Sequence, residues 1–181
     1  MMYDLPTSLV VCGTEYEIES DYRAILDIFT LLSDRELSNE EKTIGMLGIF
    51  YKDFFNMPTE HFGEAIDKCF DFINGGNAEE KKKEPKLMDW EQDFRFIIAP
   101  INNVAGTEVR SLQYLHWWTF LSYYYEIGDC FFAQIVRIRE LKAKGKLNDK
   151  QDREFYRKNK DFIDFHTNYT DLENEIVSNW T

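Results

Sequence analysis

The first patterned stretch of the chain alternates. Glu15-Tyr16-Glu17-Ile18-Glu19 sets charged and apolar residues at period 2, which predicts a half-buried β-strand. Ser8 to Val11 is rich in apolar and β-branched residues, and Gly13-Thr14 supplies a tight hairpin turn because glycine accepts positive φ. A two-stranded hairpin is marginal by itself, so it must pack on the helices behind it or pair with another chain. From Ser20 the period turns helical, with Tyr22, Ile25, Leu26, Phe29 and Leu32 at i, i+3, i+4, i+7 spacing. Ser38-Asn39-Glu40-Glu41 has the form of a capping box, and the helix it opens presents Ile44, Leu47, Tyr51 and Phe54 on one side. Pro58 starts another helix, whose buried stripe reads Phe62, Ala65, Ile66, Cys69, Phe70 and Ile73.

Asn74-Gly75-Gly76-Asn77 ends that helix, and the polar run from Ala78 to Lys86 predicts a flexible linker. Asp89 with Gln92 forms a second N-terminal box leading into Phe94, Ile97, Ile98 and Ile101, before Gly106-Thr107 breaks the pattern. Ser111 to Ile127 holds seven aromatic residues and is apolar on more than one face, so as a helix it is central and largely buried. Gly128 ends it, and Asp129 caps the next helix, from Cys130 towards Lys144. A last, more charged helix occupies Asp149 to Phe165. The fold class is mostly α, a short N-terminal β-hairpin followed by a bundle of six or seven helices. Residues 1–73 form a hairpin plus acidic helical lobe, 74–86 the linker, and 87–181 an aromatic-rich lobe with a charged C-terminal helix; a single domain over 1–181 is the other organisation this pattern permits.

Charge sharpens the division. The 181 residues carry a net charge of −12. Residues 1–80 hold 5 Lys and Arg against 17 Asp and Glu, whereas 81–181 balance at 16 each. Arg137 to Lys160 is locally basic, with 10 basic and 4 acidic residues, and the last 21 residues hold five carboxylates and no Lys or Arg. Segregation of this kind suits contact with charged protein surfaces or between subunits, while nucleic-acid binders are usually basic overall. No uncharged apolar run reaches the roughly 20 residues needed to span a bilayer. The opening MMYDLPTSLVV lacks a basic region and is not expected to be a signal peptide. Cys12, Cys69 and Cys130 are odd in number, far apart and without C-x-x-C spacing, as buried free thiols in a reducing cytosol would be.

Candidate chemistry is sparse. His61, His116 and His166 lack the one-face helical spacing that a metal site needs, so core or surface roles are expected of them. No phosphate-cradling loop and no nucleophile elbow occur, and Cys69 and Cys130 sit on apolar stripes without a basic neighbour to lower their pKa. The expectation is therefore no enzyme, no cofactor and no metal. Trp117-Trp118 point about 100° apart on a helix, so one indole can serve as an exposed anchor unless the helix is packed on two sides. Arg137 can pair with Glu140 or line a groove while Arg139 turns elsewhere, so Arg137 and Arg139 are either solvated charges or receivers of an acidic helix.

The order of these features resembles a known family. A hairpin with a glycine turn precedes Asp-Tyr-Arg (21–23); Asp89-Trp90-Glu91-Gln92-Asp93 follows, then Leu-His-Trp-Trp-x-Phe (115–120) and Ile-x-Arg in the stretch from Ile135 to Arg139. This succession is similar to the bacteriophage gp-fifteen family of phages and prophages of Gram-positive bacteria. The resemblance implies a product of the tail module, between major tail protein and tape-measure protein, where tail assembly chaperones commonly lie. It further implies a chaperone that coats helical segments of the tape-measure protein in the host bacterial cytoplasm until the tail tube polymerises. Trp117 or Trp118, with Arg137 and Arg139, would form the binding groove. Another tail protein is a second candidate partner, and an unpaired hairpin edge would favour a homo-oligomer. Two other readings stand beside it: a structural component of the virion at the tail or head–tail junction, and a small acidic effector that binds a host protein.

Overall fold

The structure, a computed structural model, describes residues 4–76 and 85–166. The chain divides into two compact units: Met1–Glu80 with Arg110–Ser122, and Lys81–Val109 with Tyr123–Thr181. The fold is mostly α, with an N-terminal β-hairpin and, among the described residues, eight α-helices rather than six or seven.

In the first unit, β1 (Ser8–Val11) pairs antiparallel with β2 (Thr14–Glu17). Val11 is opposite Thr14, so the two-residue turn is Cys12-Gly13, one position earlier than Gly13-Thr14. Both turn residues have positive φ, 49° and 77°, the combination that matches the right-handed twist of a hairpin. Val11 and Tyr16 face inward and are buried, while Val10 and Glu15 face out. The hairpin packs on its own unit. Cys12 N–H donates to the Glu64 carboxylate (2.9 Å), and the Pro6 carbonyl lies 3.0 Å from His116 Nε2. Along the other strand, Glu17 O accepts from Lys52 N–H and Glu19 N–H donates to Phe50 O.

Three helices follow: α1 (Tyr22–Ser33), α2 (Asn39–Phe50) and α3 (Phe62–Ile73). Asp21 caps α1, and Ser38 with Glu41 closes the expected capping box at the start of α2. The buried faces shift from the sequence pattern where the chain leaves the helix. In α2 Lys42, Met46, Leu47 and Phe50 make the buried face and Ile44 is 45% exposed, while Tyr51 ends the helix and bridges to Ile18. The Tyr51 hydroxyl then donates to the buried Ala65 carbonyl of α3 (2.9 Å). Pro58 opens a 3-10 turn, Thr59–His61, before α3 begins. Cys69 is buried, whereas Cys12 is exposed on the hairpin turn.

The helix expected over Ser111 to Ile127 is shorter. Only α5 (Trp117–Tyr125) is α-helical: Val109–Ser111 form a 3-10 turn, and the chain then bends along the start of α1, where His116 bridges to Asp21. Two backbone bonds hold it there: Tyr22 N–H to Leu115 O (3.0 Å) and Trp117 N–H to Ser20 O (2.8 Å).

The second unit contains α4 (Trp90–Ala105), α6 (Phe131–Ala143), α7 (Lys150–Lys158) and α8 (Lys160–Ile163). Asp89 caps α4 as expected, and Gly106 ends it at φ 68°. The cap of α6 is Cys130, whose Sγ accepts from Ala133 N–H, rather than Asp129. The expected final helix splits at Asn159 into α7 and α8. Ile135, Ile138 and Ile163 make the core here, surrounded by Phe96, Leu141, Phe155 and Phe162. Most of the predicted linker, residues 77–84, and the acidic C-terminal stretch after His166 lie outside the described residues.

Candidate functional site

The Asp-Tyr-Arg motif is a joint. Asp21 accepts from Arg23 N–H (2.9 Å) and, from across the unit, Leu115 N–H (2.9 Å). Arg23 Nη1 donates to both oxygens of the same carboxylate (3.0 Å each), and Nη2 donates to the carbonyls of Arg110 and Leu112. The motif thus ties the stretch that follows the 3-10 turn Val109–Ser111 to the head of α1, and 112–116 stays out of the helix that begins at Trp117. Ser20 Oγ and Tyr114 OH add a bond at 2.8 Å.

The Leu-His-Trp-Trp motif is the other half of this joint. His116 is buried; its Nδ1 accepts from Trp118 N–H (3.0 Å), which leaves Nε2 to donate to Pro6 O. Those two roles define a neutral imidazole with its proton on Nε2. Burial pushes its pKa below the ordinary histidine value, against the opposing pull of the Pro6 carbonyl. Trp117 is fully buried, tilted against Phe29 and stacked on Phe120, and its indole N–H donates to Ile73 O (2.8 Å). Trp118 is half-buried, stacked on Phe72 with its indole N–H on Phe72 O (2.8 Å). Gly76, at φ 79°, lies beneath that ring, where an added Cβ would come within 3.3 Å of it. Of the two indoles, Trp118 alone reaches solvent.

In the second unit Arg139 is buried against Asp93 of α4, in a bidentate ion pair. Its remaining donors go to the carbonyls of Leu87, Phe162 and Ile163, so the guanidinium is enclosed on all sides by acceptors. Asp93 also accepts from Asp89 N–H (2.9 Å), and Gln92 fastens the Phe162 and Asp164 carbonyls. The Asp89–Asp93 run and Arg139 are therefore two sides of one buried polar clamp. Breaking such a pair by removing one member typically costs 3–5 kcal/mol, because the other charge is left buried.

Arg137 points elsewhere. It is exposed and forms a bidentate pair with Asp152 of α7, not with Glu140, which pairs with Lys144. The pair raises the Arg137 pKa, leaving it charged at any ordinary pH. It lies in an open groove of about 500 Å³ between α6 and α7, lined by Asp129, Ala133, Gln134, Arg137, Gln151, Asp152 and Phe155. Phe155 and Ala133 are the groove's apolar lining residues, and Phe155 is backed by Phe131 with ring centroids 5.9 Å apart. Of the four residues singled out by sequence, Arg137 lines a groove, Trp118 lies half-buried in the other unit, and Trp117 and Arg139 are enclosed. Asp129, Asp152 and Phe155 were not legible as groove residues, since nothing local links α6 to a helix fifteen residues on. Asp93 and Arg139 did carry a signal: each falls on an apolar stripe, where a charge requires an opposite one.

Among the described residues, no cluster of three or more His, Cys, Asp or Glu could hold a metal ion, and no helix is long and apolar enough to cross a membrane. The described residues thus form a hairpin followed by helices, with two buried polar joints and an open groove between α6 and α7. The sequence model of the family described as Bacteriophage Gp15 protein matches residues 2–165. The chain belongs to that family, and membership supports a general role in phage tail assembly. No curated protein and no solved structure matches it.

Proposed function

We propose that this protein is a tail assembly chaperone that binds helical segments of the tape-measure protein before the tail tube polymerises, in the host bacterial cytoplasm. The observation that carries the reading is the family match over 2–165. The α6–α7 groove supports it physically, since an amphipathic helix can lay its apolar side on Ala133 and Phe155 while the polar rim stays hydrated. A long amphipathic chain aggregates when bare, and many copies of a moderate binder along it both shield and release it. Arg137 at the groove, and Trp118 in the other unit, are the residues of the sequence set that a partner can reach.

Co-expression with the tape-measure protein of the same phage, followed by pull-down and light scattering on a sizing column, tests this. The tape-measure protein should become soluble and co-elute with several copies of the chain. If it stays insoluble and alone, while the chain is found at stoichiometric level in purified virions, the protein is a structural component of the particle.

A further inference from the structure

The basic stretch from Arg137 to Lys160 suggests a surface for acidic partners, but the groove it borders has lost that sign. Arg139 is spent inside the second unit on Asp93. Arg137 has Nη1 and Nη2 on the two oxygens of Asp152, so the pair presents no net charge. What remains at the mouth of the groove is Asp129, exposed, with no hydrogen bond or ion pair to any described residue, beside the apolar Ala133 and Phe155. From these observations we infer that the groove between α6 and α7 takes an amphipathic helix bearing a Lys or Arg that meets Asp129, and discriminates against acidic helices. The inference rests on the reading of this protein as a binder of helical segments and adds the chemistry of the segment.

The physics is a matter of what becomes of Asp129 when the groove is covered. A helix seated on Ala133 and Phe155 removes water from the carboxylate of Asp129, which lines the same groove. An apolar partner leaves that charge uncompensated and an acidic one repels it; a cation pairs with it. The dimensions agree. The lining runs from Asp129 to Arg137 along α6 and from Gln151 to Phe155 along α7, roughly 12 and 6 Å, enough for about two turns of a bound helix. Ala133 presents only a methyl group to the groove, which lets a helix approach closely.

The test uses the full chain and overlapping synthetic peptides spanning the tape-measure protein, read by fluorescence anisotropy; full-length tape-measure protein in the pull-down replaces them if no peptide binds. Binding segments should carry Lys or Arg beside an apolar stripe. Asp129→Lys should weaken the best binder by roughly tenfold, and the same peptide with its Lys changed to Glu should regain affinity for that variant. Asp27→Lys, an equal change of charge on exposed α1, should leave binding within twofold. Tape-measure binding that Asp129→Lys leaves within twofold, or segments that are acidic, overturns the inference and leaves the chaperone reading standing. Absence of binding to every peptide and to the full-length protein overturns both.

Discussion

His116 shows how one side chain can report on a whole joint. It is held neutral, with Nδ1 accepting from Trp118 N–H and Nε2 donating to Pro6 O, and burial lowers its pKa. A histidine whose folded pKa lies below its unfolded value, about 6.5, takes up protons more readily in the unfolded chain. Its contribution to stability is therefore fully present above about pH 6.5 and is lost as pH falls towards the lowered folded value. Urea unfolding between pH 8 and pH 5 should show the free energy declining below about pH 6.5. In His116→Gln that part of the decline should disappear. An unchanged slope would mean that the ring is protonated in the fold and that the Nδ1 assignment is wrong.

At the scale of elements, caps decide where helices begin and bridges decide where they end. Ser38 accepts from Glu41 N–H through its hydroxyl while the Glu41 carboxylate accepts from Ser38 N–H (2.8 Å). The Ser38 N–H, and after it the Ser38 hydroxyl (2.7 Å), donate to the Glu41 carboxylate and hold it below its ordinary pKa. Ser38→Ala should cost about 1 kcal/mol, measured by chemical denaturation, with helix content by circular dichroism otherwise retained. This cap was legible because its signature is local. The end of α2 was not, because Tyr51 is drawn out of the helix by Ile18 of the hairpin and by Ala65 of α3, both distant in sequence. The same holds for 112–116, where periodicity read helix, but Leu115 N–H is held by the Asp21 carboxylate and Leu115 O by Tyr22 N–H, partners almost a hundred residues away.

The whole molecule adds a feature of connectivity: the first unit is completed by Arg110–Ser122, which the chain reaches only after building part of the second. Trp117 fills the first unit's core and bonds Ile73, and Leu115 bonds Asp21. A fragment ending at residue 80 lacks these, and should show no cooperative unfolding transition by circular dichroism. A fragment 1–122 retains them and should recover at least part of that transition. A cooperative transition in 1–80 alone would show that the first unit does not need the returning segment.

By itself the sequence determined what local physics decides: the hairpin, the caps at Ser38 and Asp89, and the stops at Asn74 and Gly106. It also carried the ordered motifs by which the family is recognised. Tertiary structure alone decided which charges and aromatics stay available to a partner. Trp117 and Trp118 are adjacent and chemically alike, yet one is sealed against Phe29 and Phe120 while the other keeps solvent contact. Arg137 and Arg139 are two residues apart, yet one pairs across an open groove and the other is enclosed with Asp93. The reason is that accessibility and pairing depend on segments tens of residues away, and no local pattern records which charge those segments will supply.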